Sequence, residues 1–357
     1  MTQHTARVIN KQPQETVHRP NRRLQGTLLF KGGQKSAFKA AAILSRGGLV
    51  AFPTETVYGL GATIDQIPTI NRIFAVKGRP ADNPLIVHIS DREQLDRVVS
   101  YIPPAAECLM DRFWPGPLTL VLHRSPLIPS EISAGLPTVA VRMPAHPLAL
   151  ALIRATGVPV VAPSANLSGR PSPTTASHVL EDLACKIEAV LDGGSCRIGV
   201  ESTVLDLTAD RPVILRPGGV SREELEQVLG ATVDHARWGG EQSPPSPGMK
   251  YRHYSPKGSL LLITGSRERR RKLITSLLRY YRDCGIPAQL LNYVTRRSRL
   301  TGSMPGEEYL ARRLYGKLRH YDLLGIKVIL AEEITQEGIG LAIMNRLRKA
   351  AVRVIRV

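Results

Sequence analysis

Two cations and an amide stand close together in Lys77-Gly78-Arg79-Pro80-Ala81-Asp82-Asn83-Pro84. Lysine offers a point charge. Arginine offers a planar fork that grips phosphate or carboxylate through two hydrogen bonds. Pro80 and Pro84 fix φ and push Arg79 and Asn83 toward extended backbone, so a preceding helix ends near Gly78 and both cations sit on a stiff connector. The pattern suits an anionic ligand; the alternative is a solvated turn with two surface cations. His88 falls inside the apolar Leu85–Ile89 run, where an imidazole needs a partner.

Two other stretches place small polar side chains just past apolar runs. Leu49–Phe52 leads into Pro53-Thr54-Glu55-Thr56-Val57-Tyr58-Gly59-Leu60-Gly61-Ala62. Its hydroxyls and its two glycines let a ligand approach the backbone. Val158–Ala162 leads into Pro163-Ser164-Ala165-Asn166-Leu167-Ser168-Gly169. Polar groups just past a buried strand are where α/β sheets place ligands, and they also form the turns that cap helices. The sequence has neither G-x-x-x-x-G-K-S/T nor a full G-x-G-x-x-G, so a nucleotide would be held in another way.

These groups need a frame. Helices are expected over Gln34–Arg46, Thr69–Lys77, Asp91–Val99, Pro104–Phe113, Leu148–Ala155, from Thr175 to about Cys185, and over Ser221–Leu229, the last opened by a Ser221/Glu224 capping box. Strands are expected at Leu49–Phe52, Leu85–Ile89, Leu118–Leu122, Val139–Met143, Val158–Ala162, Ala189–Leu191, Thr203–Leu207 and Val213–Arg216. From residue 258 strands (Leu260–Ile263, Ala288–Tyr293, Ile326–Leu330, Val352–Val357) alternate with helices (Arg267–Arg282, Gly306–Arg319, Leu341–Ala350). That rhythm implies a small parallel sheet covered on its faces. Four regions result: a flexible extension at 1–24 without an apolar signal core, a domain at 25–240, a Pro-rich linker at 241–257 and a second domain at 258–357. Tyr251, Arg252, His253 and Tyr254 make the end of the linker fit to fold back on something.

A chain of 357 residues, 43% hydrophobic, can bury two cores. No apolar run reaches the ~18 residues of a membrane span. The four cysteines are scattered, with no C-x-x-C pair, which points to a reducing, cytoplasmic setting rather than to zinc or disulfides. The net charge is +18, and residues 258–357 carry 20 Lys+Arg against 8 Asp+Glu, or +12 of it. A polyanion such as nucleic acid is the natural partner of that excess; high solubility alone is the other reading.

Four segments, in this order, resemble the threonylcarbamoyl-adenylate synthase (YrdC-like) family: Phe52-Pro53-Thr54-Glu55-Thr56-Val57-Tyr58-Gly59-Leu60, Lys77-Gly78-Arg79 with Asn83-Pro84-Leu85, Ala162-Pro163-Ser164-Ala165-Asn166, and Glu201-Ser202-Thr203-Val204 with Leu215-Arg216-Pro217-Gly218. The Ser-Pro-Gly-Met-Lys-Tyr-Arg-His-Tyr-Ser-Pro linker and the following α/β domain match its long two-domain form, so the resemblance covers roughly residues 25–357. It implies a twisted α/β sheet around a large concave cavity, plus a smaller Rossmann-like domain that binds no dinucleotide. It implies a nucleotidyltransferase that condenses L-threonine, bicarbonate and ATP into threonylcarbamoyl-AMP and pyrophosphate for tRNA threonylcarbamoyladenosine, with Mg²⁺ arriving on the ATP. By motif position, Lys77 and Arg79 would be catalytic. Thr56, His88, Arg142, Ala162 and Ser202 would bind L-threonine, with Arg142 as carboxylate clamp. Arg79, Asn83, Thr138, Ser164, Ser172, Arg216 and Tyr254 would bind ATP, and Asn166 would buttress its turn. The linker would be a lid that keeps water off a labile adenylate. Whether tRNA or the downstream transfer complex touches the chain stays open. The rival is a non-catalytic RNA-binding protein using a basic concave face.

Overall fold

The Ile67–Lys77 helix shows how the motif segments acquire shape. Its C-cap, Gly78, has φ 58° and ψ 38°, the left-handed conformation that costs glycine nothing. The Arg79 N–H turns back to Phe74 O at 2.9 Å. The helix therefore stops where the sequence predicts, and the chain leaves toward the next strand. In this computed structural model residues 21–24, 26–236, 253–291 and 306–357 are described.

The first sheet contains β1 (Asn21–Leu24), β2 (Thr27–Lys31), β3 (Val50–Phe52), β4 (Gly59–Thr63), β5 (Ile86–His88), β6 (Leu118–His123), β7 (Thr138–Arg142), β8 (Val160–Val161), β9 (Ala189–Asp192), β10 (Thr203–Asp206), β11 (Val213–Arg216) and β12 (Asp234–His235). Their order is β1-β2-β9-β3-β4-β8-β5-β7-β6-β10-β11-β12. The sheet is mixed: β5 runs parallel to β7 and antiparallel to β8. One face packs the 34–45 and 147–156 helices around Phe30, Phe52, Leu152 and Leu191. The larger core, with Leu60, Ile73, Val87, Leu109 and Leu120, gathers the 67–77 and 104–113 helices.

The second sheet holds β13 (Ser259–Thr264), β14 (Ala288–Leu290), β15 (Val328–Glu332) and β16 (Arg353–Arg356), all parallel, in the order β14-β15-β13-β16. Period-2 alternation sorts its faces. Leu260, Leu262, Ile329 and Ala331 meet the Gly306–Leu323 and Ile339–Ala350 helices. Leu261, Ile263, Val328 and Leu330 meet the Arg267–Asp283 helix. No helix among the described residues is long and apolar enough to cross a membrane.

Several local expectations change. Asn21–Leu24 falls within the stretch expected to be flexible, yet it pairs antiparallel with β2. Asp91–Val99 yields only a 3-10 turn at Arg92–Arg97, and Val158–Ala162 only the two-residue β8. Gly59 and Gly61 form β4, a strand not expected there, and Gly59 also lines the cavity described below. A Cβ on Gly61 would lie 2.9 Å from the Phe52 ring and 3.0 Å from Val160, so this glycine permits sheet packing. β14 ends at Leu290, and the remainder of the expected strand from residue 292 lies outside the described residues. So do residues 1–20 and the linker through Arg252, Tyr251 included.

Candidate active site

A cavity opens where β4, β5, β7 and β8 end or begin. It brings together Thr56, Lys77, Arg79, His88, Arg142, Ala162, Ser164, Asn166, Ser172, Ser202, Arg216 and Tyr254. Parallel pairing sets His88 directly beside Arg142 at the ends of β5 and β7. Three hydrogen-bonded clusters then organise the walls.

The first centres on Lys77, which is buried rather than displayed on the connector. Its Nζ donates to Ser164 O at 2.6 Å and to Asn166 O at 2.5 Å. Burial, and after it the Arg79 charge, hold its pKa well below the usual lysine range. Ser164 Oγ donates to Asn166 Oδ1 at 2.5 Å, and Asn166 Nδ2 donates to Leu167 O and Arg170 O. Those bonds fasten the turn that follows β8. Arg79 reaches Asn83 O and Pro84 O through Nη2 at 3.1 and 2.9 Å, so the Pro-bounded turn orients its guanidinium.

The second centres on Arg142, 4% exposed. Its Nη1 donates to Thr56 Oγ1 at 3.0 Å, its Nε to Gly116 O at 3.1 Å and its Nη2 to Glu55 Oε1 at 2.5 Å. Glu55 stands outside the cavity lining and also accepts the Ala145 N–H at 3.0 Å. His88 Nδ1 lies 3.1 Å from Ile86 O. A carbonyl only accepts, so Nδ1 carries the proton and Nε2 is left as an acceptor. Burial, then the Arg142 charge, push the imidazole down to about 3, so this histidine is neutral at working pH.

The third centres on Glu201. Ser172 Oγ donates to its Oε1 at 2.5 Å. The next residue, Ser202, receives Arg216 Nη2 on both its carbonyl and its hydroxyl oxygen at 3.1 Å. The turn carrying Gly218 lies so close that a Cβ there would be 2.2 Å from Ser202 C and Thr203 N; only glycine lets the two turns meet. Burial alone would raise the Glu201 carboxyl. The Arg346 and Arg216 charges outweigh it and, with the Ser172 hydroxyl, hold it at about 2.

Arg346 belongs to the second domain. Its Nε reaches Glu201 Oε2 at 3.0 Å and its Nη1 reaches Pro217 O at 2.5 Å. Tyr315 O–H donates to the same carboxylate, 2.9 Å from Oε2. Arg319 grips Pro171 O at 2.6 Å and Asp182 Oδ2 at 2.7 Å. Tyr254, 6% exposed with φ 66°, stacks on Tyr315 at 5.5 Å, and Arg346 lies over its ring. Val57 and Val200 from the first domain pack into the second domain's core.

Two expected site residues fall outside the lining. Thr138 starts β7 opposite His123, about 13 Å of strand away from Arg142 at its other end. Asn83 is buried behind Arg79, which its carbonyl oxygen serves, and its side-chain Oδ1 has no partner among the described residues. Sequence reasoning missed Glu55, Glu201, Arg346 and Tyr315. The two glutamates stand inside the quoted motifs beside hydroxyls, and a carboxylate in an otherwise apolar strand-end segment was a usable signal. Tyr315 and Arg319 share the apolar stripe of Leu310, Leu314 and Leu318; a cation on such a stripe needs a buried partner.

Comparison with known proteins finds two family models that match the chain in succession. Residues 42–218 match the Sua5, YciO and YrdC family model described as telomere recombination, and residues 220–352 match the model of the threonylcarbamoyl-AMP synthase C-terminal domain. The chain is 49% identical over 330 residues to threonylcarbamoyl-AMP synthase of Pyrococcus abyssi, covering 89% of this chain and 95% of that protein. It is 48% identical over 331 residues to the Bacillus subtilis protein of the same name, covering 89% and 94%. The crystal structure of P. abyssi Sua5 complexed with L-threonine is similar at a TM-score of 0.84 and 46% identity, over 92% of this chain and 98% of that one.

Proposed function

This chain belongs to the threonylcarbamoyl-AMP synthase family, and we propose how its cavity joins L-threonine, bicarbonate and ATP into threonylcarbamoyl-AMP and pyrophosphate for tRNA modification. The observation that carries the reading is one cavity lined by Arg142 with Thr56 and His88 and, facing the same space, by Lys77 and Arg79.

Threonine's carboxylate meets the Arg142 N–H groups left over from Glu55, Thr56 and Gly116. His88 Nε2 and the Thr56 and Ser202 hydroxyls read its amine and side-chain hydroxyl. Valine would leave those groups unpaired, which is a strong basis for rejection. The deprotonated amine takes up bicarbonate carbon with loss of water. A carbamate oxygen then attacks the α-phosphorus, and the bond to the pyrophosphate oxygen breaks in line. This is a nucleotidyl transfer without a covalent enzyme intermediate, so positioning and charge stabilisation supply the catalysis. Lys77 and Arg79 face the phosphates, and Ser164, Ser172, Arg216 and Tyr254 complete the ATP side. Asn83 and Thr138 are assigned to the ATP side by motif position alone, since neither lines the cavity.

Mg²⁺ would be held by triphosphate oxygens and water, since Glu55 and Glu201 are already engaged by guanidinium groups. We place the enzyme in a reducing, cytoplasmic setting, on the ground that its four scattered cysteines form no C-x-x-C pair. The rival of a non-catalytic RNA-binding protein is set aside, because relatives that match over 89% of this chain are named as synthases.

The test is pyrophosphate release with ATP, L-threonine and bicarbonate, each omitted in turn. Release that requires all three is the expected result. Release without threonine, or none with all three, overturns the proposal.

A further inference from the structure

The second domain does more than cover the first. Glu201 is ionised, so its oxygens only accept. Every neighbour must give it a proton: Arg346 through Nε, Tyr315 through its single O–H shared between the two oxygens at 3.0 and 2.9 Å, and Ser172 through its hydroxyl at 2.5 Å. Ser172 has one proton, and it is spent on Glu201. Ser172 lines the cavity, and its Oγ has only lone pairs left to offer there. An oxygen of that kind repels a phosphate and welcomes a donor.

We infer that Tyr315 and Arg346 are positioning residues for the reaction: by fixing the Glu201 carboxylate they hold Ser172 as a hydrogen-bond acceptor for an N–H or O–H donor on the nucleoside half of ATP. The inference rests on the reading of the cavity as an ATP site. It assigns Ser172 to the nucleoside, away from the triphosphate that Lys77 and Arg79 face. Arg346 also ties down Pro217 O, so it fixes the Arg216-Pro217-Gly218 turn and the Glu201-Ser202 turn together. Tyr315 makes no bond to that turn, which makes Tyr315→Phe the cleaner probe.

The experiment measures pyrophosphate release by the full chain, with ATP and with analogues lacking the 2′-hydroxyl, the 3′-hydroxyl or the 6-amino group. Wild-type release that needs all three substrates establishes the ATP reading independently of the analogues. Wild type should discriminate against one analogue by about tenfold in kcat/KM, the value of one hydrogen bond to a well-placed acceptor. Ser172→Ala and Tyr315→Phe should lose that discrimination and raise KM for ATP about tenfold, with kcat within about threefold. Arg346→Met should do the same, and Arg346→Lys should recover part of it. A role confined to holding the domains together would lower kcat through a smaller active fraction and leave KM and the discrimination unchanged; that result overturns the inference. So does a wild type that uses all three analogues as well as ATP.

Discussion

Glu55 stands behind Arg142 and neutralises it, so the exchange Glu55→Gln asks what that guanidinium is for. Glutamine keeps the shape and removes the charge. Arg142 Nη2 then loses its charge-assisted bond at 2.5 Å, and the Ala145 N–H loses a carboxylate acceptor at 3.0 Å. Both side chains of the pair are 4% exposed, so water does not replace the lost charge. Breaking a buried pair from one side costs about 3–5 kcal/mol. Glutamine's remaining oxygen puts this change near the lower end, about 3 kcal/mol. If Arg142 is the threonine clamp, the substrate carboxylate brings the missing charge back on binding. L-Threonine should then bind Glu55→Gln at least about tenfold more tightly than wild type, with ~100-fold as the ceiling if all of the loss is recovered. Calorimetric titration with threonine gives the affinity, and urea unfolding with and without threonine gives the cost. A variant that loses about 3 kcal/mol yet binds threonine no better would refute Arg142 as the carboxylate clamp. A loss under about 1 kcal/mol would refute the accounting for the buried pair.

Other consequences come from the same geometry. Lys77 is held below its usual pKa by burial and by Arg79, and a triphosphate opposite it would restore the charge. ATP binding should therefore take up a proton at alkaline pH, seen as a buffer-dependent heat that Lys77→Met abolishes. His88, neutral down to about 3, should leave no inflection in kcat/KM for threonine between about pH 5 and 8; an acid limb near 6.5 that His88→Gln removes would contradict this. Gly218→Ala should part the two turns, lower the urea midpoint by the equivalent of about 1–3 kcal/mol and cut kcat/KM at least about tenfold. Glu201 is depressed from 4.5 to about 2, so its stabilising contribution is whole above about 4.5 and is lost as pH falls through about 2. Acid titration of stability should show that loss in wild type, and Glu201→Gln should lack it.

The sequence carried the strand–helix rhythm of the second domain well, because a small parallel sheet with covered faces writes its pattern at period 2 and period 3.6. Its strands at Ser259–Thr264 and Val328–Glu332 overlap the expected Leu260–Ile263 and Ile326–Leu330. The motif turns were also legible, since proline, glycine and hydroxyls mark them directly. β4 was not: Gly59-Leu60-Gly61-Ala62-Thr63 has the composition of a loop, and only packing against Phe52 and Val160 makes it a central strand. Thr138 is assigned to the site from its position in a loose segment, and it stands at the end of β7 opposite to Arg142, outside the cavity lining. The partners of Glu201 were invisible for another reason. Tyr315 and Arg346 lie 114 and 145 residues away from it in the chain, and no local pattern encodes a contact across domains.

That distance bears on how the role of the second domain can be separated from the role of the linker. Removing residues 241–357 takes away the linker and the second-domain partners of Glu201 in one step, so a dead truncated chain is compatible with either role. It also exposes Val57 and Val200, which pack into the second core, and leaves Asp182 without Arg319. The point variants divide the question. Tyr254 touches both the cavity and Tyr315, so Tyr254→Ala removes the linker's contact with both while Arg346 still holds Glu201. If the linker is a lid that keeps water out, Tyr254→Ala should keep its preference among ATP analogues and lose adenylate to hydrolysis, seen as AMP in excess of trapped product. Tyr315→Phe should show the reverse pattern. Identical behaviour of the two variants would mean that the stacked pair acts as a single structural prop and that neither role can be assigned to one side chain.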